Sequence, residues 1–118
     1  MLEVELDAFS GRPNPRWELT GPQAAEILAR LRALPPMPDR PAGADGLGYR
    51  GFVLRATDGS LDGYDEVRLH RGIVLTRRGD RTEAFSDRER MLERQLLESA
   101  RGHVPEPVLQ YIASEIGR

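Results

Sequence analysis

Cysteine is absent from this 118-residue chain, and histidine occurs only twice. Without cysteine there are no disulfides, thiolate metal ligands or cysteine nucleophiles, and two histidines make a closed zinc site hard to assemble. Lysine is absent as well, so all 17 basic residues are arginines and a lysine Schiff base is excluded. We therefore expect no cofactor, no metal and no thiol-dependent reaction.

Long apolar runs and a strong net charge are also missing. No run reaches the roughly 18 apolar residues that a membrane span needs, and residues 1–5 lack the basic and apolar regions of a secretory signal. The 17 basic and 19 acidic side chains give a formal net charge of −2, which disfavours a surface that neutralises many DNA phosphates. We expect a cytoplasmic protein that binds neither DNA nor membrane.

What the chain does have is enough apolar surface to fold alone. With 39% hydrophobic and 31% charged residues, the composition is that of a globular chain and not of a disordered one. This length suits one compact unit, so residues 1–118 are interpreted as a single small domain. The Pro- and Gly-rich segment 35–48 is too short for a domain linker and predicts a long surface loop, whose role the sequence leaves open.

Alternating apolar and polar residues predict the strands. Residues 2–9 alternate apolar with acidic side chains, and residues 16–20 place Trp17 and Leu19 on one side, so the two segments predict a hairpin with Trp17 in the core. Four further short segments have the residue pattern of β-strands and are separated by glycine-containing turns, which predicts an antiparallel meander. These runs are 49–57, 66–70, 73–77 and 81–85.

Capping signals and helical spacing predict three helices. A capping box beginning at Thr20 predicts a helix over 21–34, and a second one beginning at Ser86 predicts a helix over 87–101. Pro107 suits the first turn of a short third helix. The order of elements predicts an α+β domain, with an antiparallel sheet of about five or six strands covered on one face by about three helices.

The loop between the first two strands is the strongest candidate for a binding site. Two prolines and a glycine fix this short loop, the prolines making it stiff, and a polar side chain on a stiff loop loses little entropy when it binds a ligand. Arg12 and Asn14 supply hydrogen-bond donors, while Ser10 and the Asn14 carbonyl can also accept. We predict a binding site at Ser10, Gly11, Arg12 and Asn14; the structural alternative is a turn closed on its own backbone.

Two segments of the chain resemble a known group of proteins. The run from Asp7 to Pro15, with Trp17 and Leu19 after it, resembles the opening signature of a group of small uncharacterised bacterial proteins. Residues 67–74, and the short motifs 85–87 and 92–93, are similar to the second half of that group. The resemblance implies no activity.

Other segments offer weaker alternatives. Residues 58–66 place Asp58, Ser60 and Asp62 at the spacing of a calcium loop, but Leu69 replaces the carboxylate that anchors such a loop. The arginines of the meander alternate with acidic residues, as on a solvated surface. His70 is a candidate general base, provided that the fold brings Asp7 or a serine to it.

The function favoured by the sequence is recognition without catalysis. The protein or peptide partner, or the small polar ligand, would bind at the loop from Ser10 to Trp17. One alternative is a small hydrolase- or lyase-like enzyme that uses His70 with a carboxylate. The other is an accessory or immunity-type interaction protein that acts through its surface charge. Homodimerisation stays open because the meander would leave an exposed strand edge.

Overall fold

A computed structural model of the chain describes residues 2–8, 13–37, 50–56 and 58–117. Six strands and three α-helices follow one another along these residues. The strands are β1 (Glu3–Leu6), β2 (Arg16–Glu18), β3 (Phe52–Arg55), β4 (Glu66–His70), β5 (Ile73–Arg78) and β6 (Arg81–Ser86). The helices are α1 (Gly21–Arg32), α2 (Met91–Ser99) and α3 (Glu106–Ile116), with a 3₁₀ turn (Arg88–Arg90) before α2.

The strands form one antiparallel sheet in the order β2-β1-β3-β4-β5-β6. The predicted α+β architecture, with an N-terminal hairpin, a meander and three helices, is therefore confirmed. The hairpin joins the meander because β1 pairs with β3, with Val4 opposite Leu54. None of the described helices is long and apolar enough to cross a membrane.

Successive side chains of each strand project to opposite faces of the sheet, one of which is buried under the helices while the other is open. Val4, Leu54, Val67 and Val74 all lie on the buried face and are at most 1% exposed. The apolar sides of the helices complete this core, and α2 packs against α1, α3 and β4. The opposite face of the sheet carries most of the charged side chains of β1, β3 and β4.

Trp17 lies in the core, as its place on the apolar side of β2 predicted. It is 4% exposed and its ring meets that of Phe52 edge to face, with 6.4 Å between centroids. Its indole N–H donates to Ser99 Oγ at 2.9 Å, so the buried ring keeps a hydrogen-bond partner. The ring of His103 stacks nearly parallel to the indole, with 6.1 Å between centroids.

The two predicted capping boxes had different outcomes. At α1 the box is present: Thr20 Oγ1 accepts from Gln23 N at 3.2 Å, and Gln23 Oε1 accepts from Thr20 N at 3.0 Å. At α2 the prediction was wrong, because Ser86 is the last residue of β6 and α2 begins only at Met91. Asp87 supplies the acceptor instead, with Leu92 N 3.0 Å from Oδ2.

The described part of the 35–48 loop runs along the edge of the sheet. Pro36 forms an isolated bridge with Phe85, and Met37 N donates to Ala84 O at 2.8 Å. Ser86 N in turn donates to Pro35 O at 2.9 Å. These contacts pair part of the β6 edge, and residues 38–48 lie outside the described part of the chain.

Candidate functional site

Neighbouring strands place arginines and carboxylates side by side on the open face of the sheet. The register pairs Glu5 with Val53 and Val53 with Arg68, and it pairs Arg55 with Glu66. Antiparallel partners project to the same side of a sheet, so residues of three strands meet there. We call this surface the arginine–carboxylate face; it consists of Glu5, Asp7, Arg50, Arg55, Glu66 and Arg68.

Ion pairs connect the members of this face across the strands. Arg55 lies between two carboxylates, with Nη1 2.7 Å from Glu5 Oε1 and Nη2 3.2 Å from Glu66 Oε1. Arg68 Nε is 2.9 Å from Glu66 Oε2, and its Nη1 is 3.9 Å from Asp7 Oδ2. Alternating charge along the row keeps each guanidinium next to at least one carboxylate.

Glu5 is the most enclosed carboxylate of the face. Burial acts to raise its pKa, but hydrogen bonds from Arg55 and Asn14 and the charges of Arg55 and Arg16 outweigh burial and hold the pKa below its usual value. Arg16 Nη2 lies 3.2 Å from Glu5 Oε1. The negative charge of Glu5 is therefore a stable part of the folded protein at neutral pH.

Asn14 is the one member of the predicted binding site that lies within the described residues. Its Oδ1 accepts from Ala8 N at 3.2 Å, and its Nδ2 lies 3.0 Å from Glu5 Oε2 and 3.4 Å from Asp7 Oδ1. The side chain thus connects the end of the loop to the arginine–carboxylate face. Ser10, Gly11 and Arg12 lie outside the described residues, so their role as ligand contacts stays a prediction.

Gly51 marks the boundary of the face at its loop end. Asp7 N donates to Gly51 O at 2.9 Å, whereas Asp7 O accepts from Arg50 N at 2.7 Å, so two consecutive residues just before β3 face Asp7, as in a β-bulge. A Cβ at position 51 would lie 2.1 Å from Leu69 O and 2.9 Å from His70 Cβ. Glycine therefore allows this close approach of the strands, and its own φ of +104° also favours glycine.

His70 ends β4 on the side of the sheet that carries Arg68. Asp7, the carboxylate that a His70-based enzyme would need, is contacted by Arg50 Nη2 at 2.8 Å and by Asn14 Nδ2 at 3.4 Å. The sheet therefore brings His70 to the same end of the face as Asp7. Asp7 itself is held by other partners.

The segment considered as a calcium loop uses its oxygens in other ways. Asp58 Oδ1 accepts from the amide and the hydroxyl of Ser60, at 3.1 Å and 2.6 Å. Asp62 accepts from Arg32 Nε at 2.9 Å and Arg32 Nη2 at 2.6 Å, while Glu66 belongs to the arginine–carboxylate face. Across the described ranges, no three His, Cys, Asp or Glu side chains form a group that could hold a metal ion.

The arginines at the far end of the meander are engaged near the 58–65 turn. Arg78 Nη2 donates to Asp62 O at 2.9 Å, and the guanidinium lies 4.7 Å from the centre of the Tyr64 ring. Arg77 Nη1 is 3.5 Å from Asp65 Oδ2. Arg77 lies opposite Glu66 in the β4–β5 register and therefore borders the arginine–carboxylate face, whereas Arg78, the next residue along β5, projects to the other side of the sheet.

Sequence reasoning did not find the arginine–carboxylate face. The alternation predicted for residues 2–9 correctly put Glu3 and Glu5 on one side of β1, and Asp7, just after the strand, contacts Arg68 on that same side. Nothing in the sequence, however, indicated that β1 pairs with β3, and this pairing alone sets Glu5 and Asp7 beside the arginines of the meander.

Comparison with models of protein families, with curated proteins and with solved structures found no match.

Proposed function

We propose that the protein is a non-enzymatic recognition domain, which binds a protein or peptide partner carrying carboxylates. The binding surface combines the Ser10 to Trp17 loop with the adjacent end of the arginine–carboxylate face. One observation carries the proposal: the arginines of this face are held over carboxylates that are less exposed than they are. The side chains of Arg55 and Arg68 are 36% and 50% exposed, whereas that of Glu66 between them is 17% exposed.

Arginines held in this way are suited to recognition. A guanidinium has five N–H donors, and Arg55 and Arg68 each contact only two carboxylates on the face. Their ion pairs restrict the side chains before a partner arrives, which lowers the entropy lost on binding. The planar fork of a guanidinium also matches a carboxylate in two-pronged fashion.

The same geometry favours recognition over the enzyme alternative. A general base works when its orienting carboxylate is within hydrogen-bond reach and available. Asp7 is the carboxylate at His70's end of the face, and it already accepts from Arg50 and Asn14. We therefore assign Asp7 to positioning Arg50 and Asn14.

The proposal predicts which peptides the protein selects and which arginines bind them. Peptides selected from a random display library on the wild-type protein should be enriched in Asp and Glu. Arg68→Gln should weaken their binding about 10- to 100-fold in calorimetric titrations, the loss expected for one charge-assisted hydrogen bond. Arg12→Ala should do the same, while changing the free energy of unfolding by less than about 0.5 kcal/mol.

Arg94→Gln is the matched control, since Arg94 is an exposed arginine of α2 whose Nε donates to Glu89 O. Its affinity for the selected peptides should equal that of the wild type. Peptides without acidic enrichment, or equal affinity of the Arg68→Gln variant, would contradict the proposal. If charge reversal at Arg77 and Arg81 abolishes binding while Arg12→Ala and Arg68→Gln leave it intact, the surface-charge alternative is correct.

A further inference from the structure

β2 and β6 are the two outer strands of the sheet, and their outer edges differ. Residues 35–37 already pair with part of the outer edge of β6, where Met37 N donates to Ala84 O at 2.8 Å. Among the described residues, no segment pairs with the outer edge of β2. Unpaired strand edges are the places where a sheet accepts a further strand.

The hydrogen bonds between β1 and β2 show which backbone groups of β2 point outwards. Leu6 N donates to Pro15 O at 3.0 Å, at one end of the register. Hydrogen-bonded and non-hydrogen-bonded pairs alternate along antiparallel strands, so Trp17 bonds to β1, whereas Arg16 and Glu18 do not. The backbone N–H and C=O groups of Arg16 and Glu18 therefore point away from β1. No described residue bonds to these groups.

The side chains of this edge carry opposite charges on the open face of the sheet. That of Arg16 is 60% exposed, and its guanidinium lies 3.7 Å from Glu3 and 3.2 Å from Glu5. Glu18 is also exposed and lies directly opposite Glu3 in the register, and like charges in that position destabilise a strand pair. No basic group of the described ranges forms an ion pair with Glu18. A cation approaching the outer edge of β2 would therefore stabilise Glu18.

We propose that β2 pairs antiparallel with β2 of a second copy of this chain, around a two-fold axis at Trp17. In this register Arg16 of each copy lies opposite Glu18 of the other. These are the residues whose backbone groups point outwards, so each opposed pair exchanges both of its N–H···O bonds. Each side-chain pair also brings a guanidinium to the carboxylate that lacks one within its own chain. The same patch serves both copies, as a two-fold interface requires.

Charge selects this register over its neighbours. A shift by two residues keeps the hydrogen-bonding direction but sets Arg16 opposite Arg16 of the other copy, or Glu18 opposite Glu18, and both arrangements oppose like charges. A shift by one residue sets the outward groups against groups that already bond to β1. In the favoured register the two six-stranded sheets continue as one, with both arginine–carboxylate faces on the same side. The dimer itself does not depend on the function proposed above.

The contact uses a strand of three residues from each copy, so the dimer belongs to the weak class of interfaces. Sedimentation equilibrium of the wild-type protein should give a dissociation constant between about 10 μM and about 1 mM. In NMR spectra the amide signals of Arg16 and Glu18 should move with protein concentration, and that of Trp17, which already donates to β1, should move less. High salt should weaken the dimer, because exposed ion pairs are screened.

Charge reversal tests the pairing directly. Arg16→Glu opposes carboxylates and Glu18→Arg opposes guanidiniums, so each variant alone should associate about 10- to 100-fold more weakly than wild type. An equimolar mixture of the two variants should dimerise at least as tightly as wild type, because every opposed pair again joins opposite charges. Glu83→Arg is the matched control: it makes the same change at an exposed position of β6 and should keep the wild-type dissociation constant.

Three results would each overturn the proposal. The first is a wild-type protein that stays monomeric at about 1 mM, the second is unchanged association of the Glu18→Arg variant, and the third is a mixture that associates no better than the separate variants. Because Arg16 contacts Glu3 and Glu5 within one copy, Arg16→Glu also removes intramolecular contacts, whereas Glu18→Arg removes none and tests the edge by itself. If the wild type is monomeric and a selected acidic peptide shifts the amide signals of Arg16 and Glu18, the edge accepts a peptide strand and not a second copy.

Discussion

Gly51 shows how a single residue controls the geometry of the arginine–carboxylate face. Its φ of +104° is costly for any residue with a Cβ, and that Cβ would lie 2.1 Å from the carbonyl oxygen of Leu69. Leu69 belongs to β4 and is paired with Phe52 of β3, so its backbone cannot move away from a Cβ at position 51 without disturbing this strand pairing. Gly51 O also accepts from Asp7 N, and Asp7 O accepts from the neighbouring Arg50 N.

Gly51→Ala should therefore destabilise the protein by about 3 kcal/mol or more, because the cost of positive φ is joined by a steric conflict. Urea denaturation measures the change. Gly59→Ala is the matched control: Gly59 has φ +80°, but nothing lies within 4 Å of its Cβ position. It should cost only about 1 to 2 kcal/mol, the cost of the dihedral alone. Equal losses for the two variants would show that the contact with Leu69 is relieved at little cost.

The start of α2 illustrates how an element is defined by contacts that are distant in sequence. Asp87 is 4% exposed and its carboxylate accepts from the amides of Leu92 and Glu93. Burial raises its pKa, while those backbone hydrogen bonds act in the opposite direction. Just before the helix, Arg90 has a φ of +55°, and its guanidinium contacts the fully buried Glu93 at 2.8 Å. Glu93 Oε1 also accepts from Gly72 N, so the helix start is attached to the β4–β5 turn.

Replacing the two neighbouring candidates for the cap separates their roles. Asp87→Ala should reduce the free energy of unfolding by about 2 kcal/mol, because it removes the cap and leaves buried amides unpaired. Ser86→Ala should change it by less than about 0.5 kcal/mol, since the side chain of Ser86 caps no helix. Chemical denaturation of both variants tests this. A larger loss for Ser86→Ala than for Asp87→Ala would reinstate the capping box that the sequence suggested.

At the scale of the whole molecule, the sheet has an apolar face under the helices and a charged face without them. The charged face ties the hairpin to the meander, because Glu5 of β1 contacts Arg55 of β3 and Arg55 contacts Glu66 of β4. These pairs span three strands, so their protonation affects the whole sheet. The lowered pKa of Glu5 makes this effect dependent on pH.

The stabilisation from Glu5 should disappear in acid. Its pKa is lower in the folded than in the unfolded chain, so the unfolded chain binds more protons between the two values and stability rises with pH there. The contribution is complete above the ordinary value of 4.5 and is lost as pH falls through the lowered pKa. Free energies of unfolding measured from about pH 6 down to about pH 2 should fall less steeply for Glu5→Gln than for wild type. Glu83→Gln, at an exposed site outside the face, should keep the wild-type slope; an unchanged slope for Glu5→Gln would contradict the assignment.

The sequence by itself determined the α+β class, the six strands, the three helices and the place of Trp17. These follow from local periodicity and turn residues, which act over a few neighbouring positions. The start of α2 and the arginine–carboxylate face were decided only by tertiary structure. Asp87 functions as a cap through the direction in which the chain leaves β6, and Glu5 meets Arg55 through strand pairing across 50 residues of chain. Periodicity states which side of a strand is polar, whereas the pairing of strands decides which charges become neighbours.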